Sequence, residues 1–178
     1  IFGPVGSLVQ SGFEPRAGQR QMAALVAEAV DQGGWTAVEA PTGSGKSFAH
    51  LIPSILGILE ARADADPGEK PPRLIVSTAN LALQDQLVQK DIPAVARLLG
   101  VALKVAQLKS VSNYPCWLKV NEALGTIDYS GEQDEIMRLS DWMEDGGDLA
   151  KKDKDAVPFS LSQRVWPKVS TDREGCVG

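Results

Sequence analysis

The chain has no run of about eighteen apolar residues, so no segment reads as a membrane-crossing helix. Its first residues, Ile1-Phe2-Gly3-Pro4, lack a basic stretch followed by an apolar core, which argues against a secretory leader there. They also lack an initiator methionine, and the sequence reads as a slice of a longer protein. Cysteine is scarce. Cys116 and Cys176 stand sixty positions apart, too few for a disulfide framework, and taken alone they read as buried thiols. No internal repeat is present.

Positive charge is in short supply as well. The formal charge is −5, which argues against a general nucleic-acid binder until its distribution is considered. Residues 1–120 carry eleven Lys/Arg against ten Asp/Glu, whereas residues 121–178 carry seven against thirteen. The acidity is confined to the last third, which points to two regions with different roles and leaves the first near neutral. With 43% hydrophobic residues, the chain has enough apolar material for one domain or for one domain with an insertion.

The spacing of Met22, Leu25, Val26, Ala29 and Val30 predicts a helix over 17–32, ended by Gly33-Gly34. Residues 35–39 read as a short buried strand, and a helix follows from Lys46 to about Ala63, kinked or divided at Pro53. Residues 64–72 read as a solvated loop, 74–76 as a second buried strand and 103–108 as a third. Asn80 and Asp91 are candidate caps for the helices between them, with Pro93 in the first turn of the second. Strands alternating with helices in this order imply right-handed crossovers and a mostly parallel, doubly wound sheet. Beyond Cys116 the pattern changes to short helical stretches and acidic runs with no strand of the earlier kind, a small helical insertion.

The strongest motif is Ala40-x-x-Gly43-x-Gly45-Lys46-Ser47, set between a strand and a helix. Phosphate oxygens need several backbone N–H groups aimed inward, and glycines let a loop curl that tightly. The helix start adds its positive dipole end. In such a loop Lys46 reaches the β- and γ-phosphates and the Ser47 hydroxyl ligates Mg²⁺, with Thr42, Gly43, Ser44 and Gly45 around the phosphates. Ala40 stands where the general pattern has glycine. The chain therefore reads as a nucleoside triphosphate binder.

Two neighbouring blocks narrow the class. Upstream, Gln19 could meet a donor and an acceptor on one base edge, or simply belong to a polar helix face. Downstream, Ser77, Thr78, Asn80 and Gln84 place hydroxyls and amides where a strand gives way to a helix, which suits sugar-phosphate contacts or ordinary capping.

Together these residues resemble the superfamily 2 iron–sulfur DNA helicases of the XPD/DinG type, and most of all the bacterial DinG branch. The resemblance is carried by Glu14-Pro15-Arg16-x-x-Gln19 with Met22, by the loop from Glu39 to Ser47, and by Ser77-Thr78-Ala79-Asn80-x-Ala82-Leu83-Gln84-Asp85-Gln86. Ser112-Asn113-Tyr114-Pro115-Cys116 and Arg173-Glu174-Gly175-Cys176 add to it. It implies an ATP-dependent 5′→3′ DNA helicase, cytoplasmic and nucleoid-associated in a bacterium, acting on single-stranded or forked DNA. Its first lobe would be a RecA-like P-loop domain, here residues 1–110. A truncated iron–sulfur insertion would fill 111–178. On this reading Arg16 and Gln19 recognise adenine, Lys46 serves catalysis, and Ser77, Thr78, Asn80 and Gln84 lie near the DNA backbone. Cys116 and Cys176 become the first two ligands of a [4Fe–4S] cluster that needs four thiolates, the others falling past Gly178. Ser110-Val111 stand where the family often has Gly-Arg, so the phosphate contact of that arginine has no counterpart here.

An acidic box of the Asp-Glu-Ala-His kind is missing after the loop, and so is a second lobe. Phosphoryl transfer depends on positioning and charge stabilisation, so residues 1–178 alone are expected to bind ATP weakly, without useful hydrolysis. Two other readings stay open: a P-loop enzyme of another class, such as a small-molecule kinase, and a nuclease-associated nucleic-acid-binding protein with a regulatory loop. RNA as the track also stays open, because backbone contacts carry no base identity. The acidic faces of 132–148 should repel a single strand, and Trp117, Trp142 and Trp166 are expected to fill a small core rather than stack on bases.

Overall fold

The structure is a computed structural model that describes residues 1–4, 6–14, 16–126, 131–146 and 151–172. It divides into two compact units, Ile1–Val105 and Ala106–Gly178.

In the first unit a short helix α1 (Ser7–Gln10) precedes α2 (Ala17–Gln32), α3 (Lys46–Ala63), α4 (Leu81–Gln86) and α5 (Ile92–Leu99). Helix α2 ends where Gly33 takes a positive φ of 68°, a conformation a side chain would resist. It lies along α3, and Gly57 permits the approach, since a Cβ there would fall 2.2 Å from Val30 Cγ1. The face expected of α2 is half covered: Met22, Val26 and Ala29 are partly buried, while Leu25 and Val30 stay exposed. Leu51, Ile52 and Ile55 of α3 form the core with Leu8, Leu87 and Val95. Each such side chain removed from water contributes about 1.5–3 kcal/mol.

Pro53 does not divide helix α3, which runs continuously through the buried proline. One expectation about a helix end changes. Asp91 caps nothing, because helical backbone continues from α4 through a π turn at Leu87–Asp91 into α5. Pro93 explains the wider turn: its ring has no N–H for the carbonyl four residues back and crowds that carbonyl in a regular helix. Asn80 does cap α4, its Oδ1 accepting the Leu83 N–H at 2.7 Å.

The expected sheet is the larger difference. Among the described residues no strand forms, and 35–39, 74–76 and 103–108 carry no strand assignment. A strand is defined by its ladder to a neighbour. Without neighbours most apolar side chains of these segments face solvent: Trp35 is 91% exposed and Ile75 87%. Val38 is half-buried, and Val76 and Leu103 pack against the helical core.

The second unit is helical, built from α6 (Trp117–Gly125), α7 (Glu132–Glu144) and α8 (Trp166–Val169) around Val120, Ile136, Leu139, Met143, Val165 and Trp166. Trp117 and Trp142 pack on the same cluster, so all three tryptophans serve the core. Trp166 settles its polar atom by donating from Nε1 to the Ser112 carbonyl at 2.9 Å. Glu132, Asp134 and Glu135 occupy the first turn of α7, where the helix dipole favours negative charge. The last carbonyls of α7, on Trp142 and Met143, accept from the buried Lys152 ammonium.

Candidate nucleotide-binding site

The loop ahead of α3 takes its shape from two glycines. Gly43 has φ +77° and Gly45 φ +84°, both in the left-handed region where a Cβ is strained. Gly45 is the residue before the helix, and its carbonyl accepts the Ala49 N–H at 3.1 Å. Lys46 and Ser47 are therefore the first two residues of an eighteen-residue helix, whose opening N–H groups have no partner within the helix. This arrangement suits an anion.

The side chains around the loop are held by its carbonyls. Lys46 Nζ donates to Ala40 O at 2.5 Å and to Pro41 O at 2.9 Å. Arg16 Nη1 donates to the Gly43 carbonyl, and Gln19 Nε2 to the Gly45 carbonyl at 3.1 Å. The Ser44 hydroxyl is buried without a hydrogen-bond partner. His50 donates from Nδ1 to Lys46 O at 2.9 Å, which fixes its tautomer one turn into α3.

A cleft of about 570 Å³ opens over this loop. Of the nucleotide candidates, Arg16, Gln19, Thr42, Gly43, Gly45, Lys46 and Ser47 all line it. Phe13 and Phe48 form an aromatic pair on its wall, with ring centroids 5.0 Å apart. Gln86 and Asp91 complete it; Asp91 is 5% exposed and accepts from Gln86 Nε2 at 3.1 Å. Sequence reasoning missed Asp91 because a carboxylate before Ile-Pro reads as a cap, and only the continuous helix turns it toward the cleft.

The DNA candidates Ser77, Thr78, Asn80 and Gln84 do not line this cleft. Asn80 is engaged as the α4 cap, and Thr78 Oγ1 is buried without a partner. In the second unit Cys116 is a half-buried free thiol at the start of α6. Its N–H donates to Val169 O at 2.7 Å, and an antiparallel bridge joins Pro115 to Ser170. Thr171 N–H donates to Tyr114 O, which returns the later chain to the segment of Cys116. Cys176 lies outside the described residues. Among the described residues no three His, Cys, Asp or Glu side chains gather as metal ligands. The chain's two cysteines do not by themselves fit a [4Fe–4S] cluster.

Among the described residues, Lys109 has a clearly shifted pKa. Its side chain is 5% exposed and pairs with Asp155 at 2.7 Å and Asp153 at 3.0 Å. Burial alone pulls the ammonium pKa down, but the hydrogen bonds and charges of the two aspartates outweigh it and raise it. The triad lies within the second unit and ties residue 109 to the segment of Asp153 and Asp155.

No helix among the described residues is long and apolar enough to cross a membrane. No protein-family model matches the chain. It is 33% identical to the ATP-dependent DNA helicase YoaA of Escherichia coli, over 99% of this chain and 26% of that protein. It is 33% identical to the ATP-dependent helicase DinG of Mycobacterium tuberculosis, over 94% of this chain and 26% of that protein. With the ATP-dependent DNA helicase DinG of Escherichia coli it shares 34% identity, over 93% and 24%. Over nearly its whole length the chain is a relative of the DinG and YoaA helicases, and it spans about a quarter of theirs.

Proposed function

We propose that this chain is the ATP-gripping part of an ATP-dependent 5′→3′ DNA helicase that works on single-stranded or forked DNA in the bacterial cytoplasm. One observation carries the reading: two left-handed glycines shape a loop that delivers Lys46 and Ser47 to the start of α3, inside a nucleotide-sized cleft. The triphosphate displaces the Ala40 and Pro41 carbonyls from Lys46 Nζ, and the ammonium then meets β- and γ-phosphate oxygens. Ser47 would hold Mg²⁺, which neutralises phosphate charge as it develops. Phe13, partly exposed at the cleft wall, offers the base apolar surface.

The finer assignments rest on the resemblance of the sequence motifs. The segments 35–39, 74–76 and 103–108 would be strands of a RecA-like parallel sheet, with neighbours supplied from elsewhere in a longer chain. Ser77, Thr78, Asn80 and Gln84 lie outside the nucleotide cleft, which supports a separate role on the DNA backbone. Cys116 and Cys176 would supply two of the four cluster thiolates. The return of Thr171 to Tyr114 supports that pairing, since five residues then span at most roughly 17 Å.

The test is Lys46→Ala in the full-length protein. Strand separation and DNA-stimulated ATP hydrolysis should vanish while forked DNA still binds. Retention of unwinding would defeat the motor reading and favour a binding protein with a regulatory loop.

A further inference from the structure

Asp91 is a carboxylate in the nucleotide cleft for which the phosphate loop has no use. It is 5% exposed and lines the cleft together with Lys46 and Ser47. The π turn puts it there. Residues five apart diverge around a regular α-helix, whereas the wider turn brings Gln86 and Asp91 to one side. Gln86 Nε2 donates to Asp91 Oδ2 at 3.1 Å, and no described residue donates to Oδ1. No ion pair among the described residues includes Asp91. Phe48 and Ile92, the residues that follow Ser47 and Asp91, pack on the same core of Leu51, Leu87 and Val95. That shared core holds the first turn of α3 and the π turn together at the cleft.

A structural role does not need this charge. A neutral carbonyl would serve the Gln86 amide as well, and a carboxylate withdrawn from water is costly unless a positive charge meets it. The residues lining the cleft include two cations, Arg16 and Lys46, and two carboxylates, Glu14 and Asp91. Arg16 pairs with Glu14 at 3.8 Å, which leaves Lys46 and Asp91 to face a ligand with opposite charges. A bare triphosphate suits Lys46 and is repelled by Asp91. A triphosphate that arrives with a divalent cation brings the positive charge that Asp91 lacks. The donor set suits a hard cation of this kind: a serine hydroxyl at the start of α3 and a carboxylate oxygen without a partner.

We propose that Asp91 is a specificity-determining residue of the cleft, favouring the Mg²⁺-bound nucleotide over the metal-free one. The proposal rests on the loop being the triphosphate site and deepens that reading by naming the form of substrate the site accepts. The effect acts through charge, so it requires no direct bond between Asp91 and the metal and is blind to base and sugar.

The experiment measures the affinity of the full-length protein for ATP and for inorganic tripolyphosphate, each with Mg²⁺ and with excess EDTA. Asp91→Asn removes the charge but can still accept from Gln86, and Asp91→Ser removes it with a smaller side chain. Circular dichroism checks that the variants fold, and either one suffices. In the wild type Mg²⁺ should tighten the binding of both ligands. In the variants that tightening should shrink about tenfold, chiefly because the metal-free ligands bind better. An unchanged effect of Mg²⁺ overturns the proposal, including the case in which both forms weaken together, which marks a merely structural carboxylate. A wild type indifferent to Mg²⁺ overturns it too. So does an effect on ATP that tripolyphosphate does not share, which assigns Asp91 to the sugar or base. Lys46→Ala tests the underlying reading separately. If it leaves the affinity for tripolyphosphate unchanged, the loop is not the phosphate site and both readings fall. If it weakens that affinity while Asp91→Asn leaves the Mg²⁺ effect intact, only the role of Asp91 falls.

Discussion

Gly43 and Gly45 have nearly the same backbone conformation, φ +77° and +84°, yet alanine should not cost the same at the two positions. A side chain in the left-handed region costs about 1–2 kcal/mol at either one. At Gly43 nothing stands within 4 Å of the added methyl group. At Gly45 the methyl group meets Gln19 Nε2 at 2.3 Å and Cδ at 2.9 Å. The end of a glutamine is flexible, so it swings away and gives up its hydrogen bond to Gly45 O, a further loss of about 1 kcal/mol. A loop without ligand can relax and shed the strain, so binding carries the cost. Gly43→Ala should weaken Mg-ATP by about 5- to 30-fold and Gly45→Ala by about 30- to 150-fold. Titration calorimetry on the full-length protein reads both. Adding Gln19→Met to Gly45→Ala should cost nothing more, because the bond is already gone. Equal losses at the two glycines, or full additivity in the double variant, would refute the reasoning.

Two further outcomes follow from other parts of the molecule. Lys109→Met strands Asp153 (16% exposed) and Asp155 (66% exposed) beside the helical unit. Because both carboxylates can rehydrate, the loss should be about 2 kcal/mol, below that of a fully buried pair. Urea unfolding followed by tryptophan fluorescence measures it, and no change would mean the triad holds nothing. The raised Lys109 pKa gives the sign of the pH dependence. Its stabilisation is complete below the ordinary lysine value of about 10.4 and fades as pH climbs through the folded value, so the gap between wild type and variant should close only in alkali. At Asn80, alanine removes the bond to Leu83 N–H and about 1 kcal/mol of stability, whereas aspartate keeps the cap. Asn80→Asp should thus unfold like the wild type but bind single-stranded DNA several-fold more weakly through charge repulsion. Unchanged DNA affinity would remove Asn80 from the track.

The parts legible in the sequence are those whose geometry is local. The cradle needs Gly43, Gly45, Lys46 and Ser47 within five residues, and short-range backbone preference fixes all of them. The tryptophans of the helical unit were legible for a similar reason: few other large residues were available to build its core. Asp91 was not, because its side chain gains meaning only when α4 and α5 join through the π turn and bring it to a cleft built on residues far earlier in the chain. The contacts of Arg16 and Gln19 with the loop are likewise non-local, and a glutamine on a helix gives no sign of which carbonyl it meets.

The strands raise a different problem. Composition can mark Trp35 to Glu39 or Leu74 to Val76 as apolar and β-branched, which favours extended backbone, but a sheet is a property of pairs. Consecutive parallel strands need not be neighbours, because a crossover may pass over one or more positions later filled by other strands. If the first and second segments are separated in this way, each lacks a ladder until the intervening strands arrive. Its apolar side chains then remain in water, as Trp35 and Ile75 do. The cradle forms without a sheet. Its shape depends on glycine dihedrals, the start of α3 and two donors, one from the residue before α2 and one from its first turn, none of which needs a strand partner. Phosphate affinity should therefore survive changes on the exposed side of these segments.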